Sequence, residues 1–173
     1  TMLQAQEIVS SGKVLINGIA LEKIDTIKQG DTIETYKKTT LRFNVGKDAF
    51  LVRPNTKFTL DTLGKKRVLN VINGGVMAVF GGGNHGVSTA NMTAGIRGTG
   101  TYTAVKDGKT YFCTCYGETD VSAHGTSRIM KATHHNMVWI TPKMLKITQD
   151  MEGHKDEELR ILEAMVGRKV PFK

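Results

Sequence analysis

Apolar and polar residues alternate in short runs through most of the chain, and glycine closes nearly every run. Leu41, Phe43 and Val45 share one face of an extended segment, because successive side chains in a strand point to opposite sides. Residues 13–16 and 19–21 flank Asn17-Gly18, a dipeptide suited to a two-residue hairpin turn because both positions tolerate positive φ. The same grammar predicts strands at 32–36, 50–52, 57–60, 67–72 and 76–80. Asn73-Gly74-Gly75 reads as a turn and 81–86 as a glycine-rich reversal. Later strands fall at 101–105, 110–116 and 118–123, with Lys106-Asp107-Gly108 between the first two. Turn signals every ~8–12 residues with no helical stretch between them predict a mainly β fold, an antiparallel sandwich or a short-rung β-solenoid.

Only near the end does the period change. Leu159, Leu162, Met165 and Val166 stand at helical spacing behind Asp156-Glu157-Glu158, an acidic opening that suits a helix N-terminus. A single C-terminal α-helix is therefore predicted over 156–166, with Gly167 as its cap and Pro171 as its stop. So short a helix is marginal alone and must lay its apolar stripe on the sheet.

At 173 residues the chain suits one domain, and its 39% hydrophobic and 23% charged content excludes disordered, collagenous and coiled-coil classes. A membrane helix needs ~20 apolar residues, and the best stretch, 68–80, is broken by Asn70, Asn73, Gly74 and Gly75. A net charge of +8 directs attention to acidic partners. Charge alone does not choose among nucleic acid, anionic lipid, an envelope protein or an acidic polymer of the envelope. The cations are scattered in small groups such as Lys37-Lys38 and Lys65-Lys66-Arg67, which read as solvated faces and turn tips, so no specific nucleic acid is expected. The chain opens at Thr1-Met2 with no basic or apolar leader, as expected if a signal peptide has been removed or never existed; the extracytoplasmic expectation takes it as removed.

Gly95-Ile96-Arg97-Gly98-Thr99-Gly100-Thr101-Tyr102 is followed by a strand, a Lys-Asp-Gly hairpin and Tyr116-Gly117-Glu118-Thr119-Asp120-Val121. This run closely resembles the FecR domain. Gly30-Asp31-Thr32-Ile33-Glu34-Thr35 and residues 60–79 resemble the start and middle of the same domain, so the resemblance covers 30–123. It implies an all-β FecR-like domain within 1–123 and a histidine-containing tail, 124–173. It further implies a non-enzymatic, extracytoplasmic or periplasmic sensing, binding or scaffold module of the bacterial envelope. The helical anti-sigma segment, membrane helix and receptor-docking domain of the ferric-citrate regulators have no counterpart in these 173 residues.

Three patterns could carry chemistry. Gly81-Gly82-Gly83-Asn84-His85-Gly86 satisfies a dinucleotide fingerprint, but the β-branched residues after it predict a strand where that fingerprint requires a helix. Ser122, His124 and Asp120 can be drawn as a triad without any nucleophile-elbow context. Cys113 and Cys115 stand at i and i+2 of a predicted strand and share a face, open to three readings: core thiols, a strained disulfide, or thiolate ligands. His134, His135 and His154 follow them in the tail and could complete a tetrahedral S2N2 site, with at most one of the adjacent pair facing the thiols if they alternate along a strand. The alternative function is thus metal binding, with Zn, Cu or haem as the cofactor, or thiol redox chemistry.

Overall fold

The computed structural model describes residues 6–21 and 27–173; the Thr1-Met2 opening lies outside the described residues. Among the described residues, fourteen strands form a single sheet, with one helix. In chain order they are β1 (Gln6–Ser11), β2 (Val14–Ile16), β3 (Ile19–Ala20), β4 (Thr32–Thr35), β5 (Thr40–Val45), β6 (Asp48–Val52) and β7 (Lys57–Leu63). These are followed by β8 (Lys66–Val79), β9 (His85–Ser88), β10 (Thr93–Lys106), β11 (Lys109–Ala123), β12 (Thr126–Ala132), β13 (Asn136–Ile140) and β14 (Leu145–Thr148). The helix α1 spans Asp156–Met165, with Val166 as its C-cap.

The mainly β reading and the lone C-terminal helix hold. The sheet is mixed rather than purely antiparallel, because β8 and β9 pair in parallel, Arg67 opposite His85 and Asn70 opposite Ser88. That pairing dictates the shape of the molecule. Residues 67 to 79 of a straight strand would span ~40 Å at ~3.3 Å per residue, whereas the chain from 79 to 85 can reach back only ~20 Å. So β8 must bend, and it does so at Asn73-Gly74-Gly75. The expected turn there is a corner within one continuous strand. Gly74 has φ +83, and a Cβ on it would come within 2.2 Å of Thr56 Oγ1 and 2.6 Å of the Thr56 Cα. Only glycine fits.

Folding the sheet over at this corner encloses the larger core on one of its faces. Phe43 stacks on Phe50 and Phe58 with ring centroids 5.0 and 6.1 Å apart, alongside Val14, Ile33, Leu69 and Phe112. The opposite face of the central strands carries a second core of Ala49, Met77, Val79, Tyr102, Tyr111, Cys113 and Cys115, covered by Leu159, Leu162 and Val166 of the C-terminal segment. The predicted apolar stripe of the helix thus docks on the sheet. Glu158 forms a bidentate pair with Arg53 (2.5 and 2.6 Å) and accepts from the Lys155 N–H (2.8 Å), which fixes the first turn.

Residues 126–148 of the tail extend the sheet as three strands that no predicted element anticipated. β12 and β13 both pair with β11, and β14 with β13. The glycine-rich reversal from Gly81 runs into β9, which takes in His85 and Gly86, and no helix starts there. Among the described residues no helix is long and apolar enough to cross a membrane.

The corner makes a direct prediction. Gly74→Ala should destabilise the fold by about 1–3 kcal/mol through backbone strain and collision with Thr56. Gly82→Ala, which meets nothing within 4 Å and has no positive φ, should stay within about 0.5 kcal/mol of the parent in urea denaturation.

Candidate metal centre

The alternation within β11 sends Phe112 into the larger core and Tyr111, Cys113 and Cys115 to the opposite face. The two sulfurs lie 3.4 Å apart, both residues are 0% exposed, and no disulfide joins them. β11 also changes partner along its length. Thr110 to Thr114 pair with β13, while Gly117 to Ala123 pair with β12. Gly117 permits the changeover at φ +90, where a Cβ would lie 2.7 Å from the Gly98 carbonyl oxygen.

The turn between β12 and β13 consequently sits beside the thiols. The His135 N–H donates to the Cys115 carbonyl (2.7 Å), and His135 takes φ +62, a conformation uncommon outside glycine. Its side chain is 7% exposed and that of His134 is 47% exposed. His135 faces the sulfurs and His134 does not; the two are parted by the turn rather than by alternation along a strand.

His154 arrives from the other side. Tyr111 clips the preceding chain: its hydroxyl donates to the Asp150 carbonyl (3.3 Å) and accepts from the Glu152 N–H (3.0 Å). The His154 ring stacks on Tyr102, with centroids 4.6 Å apart. His135 Nδ1 lies 3.2 Å from Cys113 Sγ and His154 Nε2 lies 3.5 Å from Cys115 Sγ; the four donor atoms all fall within 4.8 Å of one another. Donors bound at ~2.0–2.3 Å around one tetrahedral ion are themselves about 3.3–3.8 Å apart. The cluster has nearly that spacing.

Hydrogen bonding also selects the nitrogen each imidazole offers. A carboxylate or carbonyl oxygen can only accept, so His135 Nε2 must donate to Asp156 Oδ1 (2.6 Å) and His154 Nδ1 to the Glu152 carbonyl (2.7 Å). In the neutral rings the lone pairs then reside on His135 Nδ1 and His154 Nε2, the two atoms that face sulfur. An outer oxygen acceptor that fixes the inward nitrogen is the arrangement found around metal-bound histidines. Asp156 also accepts from His134 Nε2 (2.7 Å), so His134 supports the centre from outside.

Burial opposes ionisation of Cys113, but hydrogen bonds from Cys115, His135 and His154 outweigh it and bring its pKa down to about 4. Burial and the neighbouring Cys113 push Cys115 upward instead. Burial disfavours the charged form of His135, yet its bonds to Cys113 and Asp156 raise its pKa. Without an ion, the Cys113 thiolate faces the His135 ring and favours its protonated form, and a divalent or monovalent soft cation could replace the protons. Four protein donors packed around one point suit a bare ion. A porphyrin would need a flat cavity between opposed ligands.

The remaining sequence candidates lie elsewhere. His85 sits by Asp48 (3.5 Å), whose carboxylate also accepts from Arg67 and from the Gly81 N–H. His124 occupies a hairpin tip with its Nε2 on the Thr141 carbonyl (2.9 Å), and Ser122 Oγ bonds Ser127 Oγ, so no triad forms. Asp156, Glu152 and Tyr102 were absent from the sequence-derived site. Asp156 carried only a helix-start signal, and the other two contribute a backbone oxygen and a ring face that no motif encodes.

No protein-family model matches this chain, and no curated protein matches it. Its fold is similar to crystal structures of a candidate anti-sigma factor from Parabacteroides distasonis ATCC 8503. A 1.65 Å structure gives TM-score 0.60 at 9% identity and a 2.50 Å structure 0.59 at 10%. Each likeness covers 75% of this chain and 64% or 63% of the other, so the chain spans somewhat under two thirds of their length. At that identity the likeness concerns the fold.

The metal-free protein should retain one thiolate at neutral pH, read as far-ultraviolet thiolate absorbance that titrates near pH 4. Cys113→Ser should remove the signal. Loss of the absorbance in a single step near the ordinary thiol value of ~8.5 would show that the cluster does not hold charge as described.

Proposed function

We propose that this chain is a non-enzymatic regulatory module on an anti-sigma-factor-like β scaffold. It binds a soft or borderline transition-metal ion through Cys113, Cys115, His135 and His154. The observation that carries the reading is the set of four buried donors from three separate segments, with an outer oxygen acceptor leaving the other nitrogen of each imidazole facing the sulfurs. A two-sulfur, two-nitrogen tetrahedron favours Zn2+, and thiolates also suit Cu+. Catalytic zinc keeps a ligand position open, whereas four protein donors close the shell. The closed shell therefore supports a sensing or structural role over catalysis.

The fold likeness and the FecR resemblance over 30–123 support placement in envelope signalling, outside the cytoplasm. In an oxidising compartment adjacent free thiols would be liable to pair, and metal ligation would keep them as thiolates. The exposed cations remain available to an acidic partner.

Protein purified without a histidine tag should carry about one metal ion per chain, and Co2+ should give the visible spectrum of a tetrahedral thiolate site. Substituting both cysteines by serine should abolish it. Asp156→Asn should weaken affinity ~10–100-fold by releasing His135, and His85→Ala should leave it unchanged. Retention of the ion by the double-serine variant, or absence of binding in competition with a chelator, would refute the assignment.

A further inference from the structure

We infer that occupancy of this centre decides whether the C-terminal segment 150–173 is docked, so that the ion operates a latch. The inference rests on the metal-binding reading above and adds its regulatory consequence. Three of the donors, Cys113, Cys115 and His135, belong to the sheet and its β12–β13 turn, whereas the fourth, His154, precedes α1 by two residues. An ion held by all four is a crosslink between sheet and tail.

The ties of the segment are concentrated at the same end. Asp156, the first residue of α1, accepts from both His134 and His135, and Glu158 holds Arg53. The tautomer of His135 that offers Nδ1 inward is thus set by a residue of the helix itself. Further along, Leu159 and Leu162 are fully buried and Glu163 accepts from the Tyr116 hydroxyl (2.5 Å) and from Arg168 (2.8 Å). The helix has ten residues, too few to persist alone, so undocking and melting go together.

Access points the same way. Both sulfurs are sealed from solvent in the core that the tail covers, with Tyr111 clipping residues 150–152 and the His154 ring lying on Tyr102. The segment that supplies the last ligand also closes the route to the first two. An ion can therefore enter only when the tail is lifted, and once bound it opposes lifting. Without it, the direct link from the tail's His154 to Cys115 is a weak sulfur hydrogen bond of 3.5 Å.

Hydrogen exchange followed by mass spectrometry on the whole chain, metal-free and with Zn2+, tests this alongside an independent measure of zinc binding. With free Zn2+ at about 100 times its Kd, amides of 156–166 should exchange ~100-fold more slowly, while those of β5 and β7 in the larger core stay unchanged. In His154→Ala, zinc should leave helix exchange unaltered. If zinc binds and exchange at 156–166 does not change, or if β5 and β7 slow equally, the latch is overturned and the metal site stands. A zinc-dependent slowing of the helix in His154→Ala would overturn coupling through that ligand. If no zinc binds, the site and the latch fall together.

Discussion

Two thiol sulfurs held 3.4 Å apart on one strand face, sealed from water, constrain much of the second half of the molecule. A buried thiolate needs either a positive partner or a metal, and two imidazole nitrogens lie within 3.5 Å of the sulfurs, one from the β12–β13 turn and one from the tail. Delivering the first requires β11 to exchange β13 for β12 at Gly117, which places the turn beside Cys115. Delivering the second requires the chain to cross Tyr111 and rest on Tyr102 before α1 begins. Those local features, odd when taken separately, share one explanation in the donor cluster.

The scaffold behind the cluster is stiff because two cores share its strands. β11 presents Phe112 to the large core and the thiols to the small one, so any shift of the ligating strand disturbs packing on both faces. A sheet folded at the Gly74 corner supports three of the donors, and the proposed latch sets the tail's His154 against that support. Precise donors on rigid elements with one ligand on a detachable segment are what a binding module requires to report occupancy to a partner.

Much of this was legible in the sequence. The alternation of Leu41, Phe43 and Val45 marked a strand, the Asp-Gly and Asn-Gly turns marked hairpins, and the 3.6-residue spacing from Leu159 marked the helix. Each is a local pattern with a local cause. The Cys113 and Cys115 pairing was equally visible, because two residues apart in a strand means one face. Where sequence reasoning stopped, the missing information was non-local. β12 has only Met130 buried and so shows no clear periodicity, and the β8 corner follows from the return path through β9 rather than from Asn73-Gly74-Gly75 itself. Nothing in the composition tells which of His134 and His135 turns inward, since that depends on the His135 backbone bond to Cys115. Asp156 looked like a helix-opening acid and is also the residue that orients the ligand.

The central claim is that these side chains, rather than surface histidines or carboxylates, surround the ion. X-ray absorption at the metal edge of zinc-loaded protein reads the donors directly. The account predicts two sulfur neighbours at ~2.3 Å and two nitrogen neighbours at ~2.0–2.1 Å, with imidazole outer-shell scattering. A first shell of oxygen and nitrogen alone, without sulfur, would contradict it.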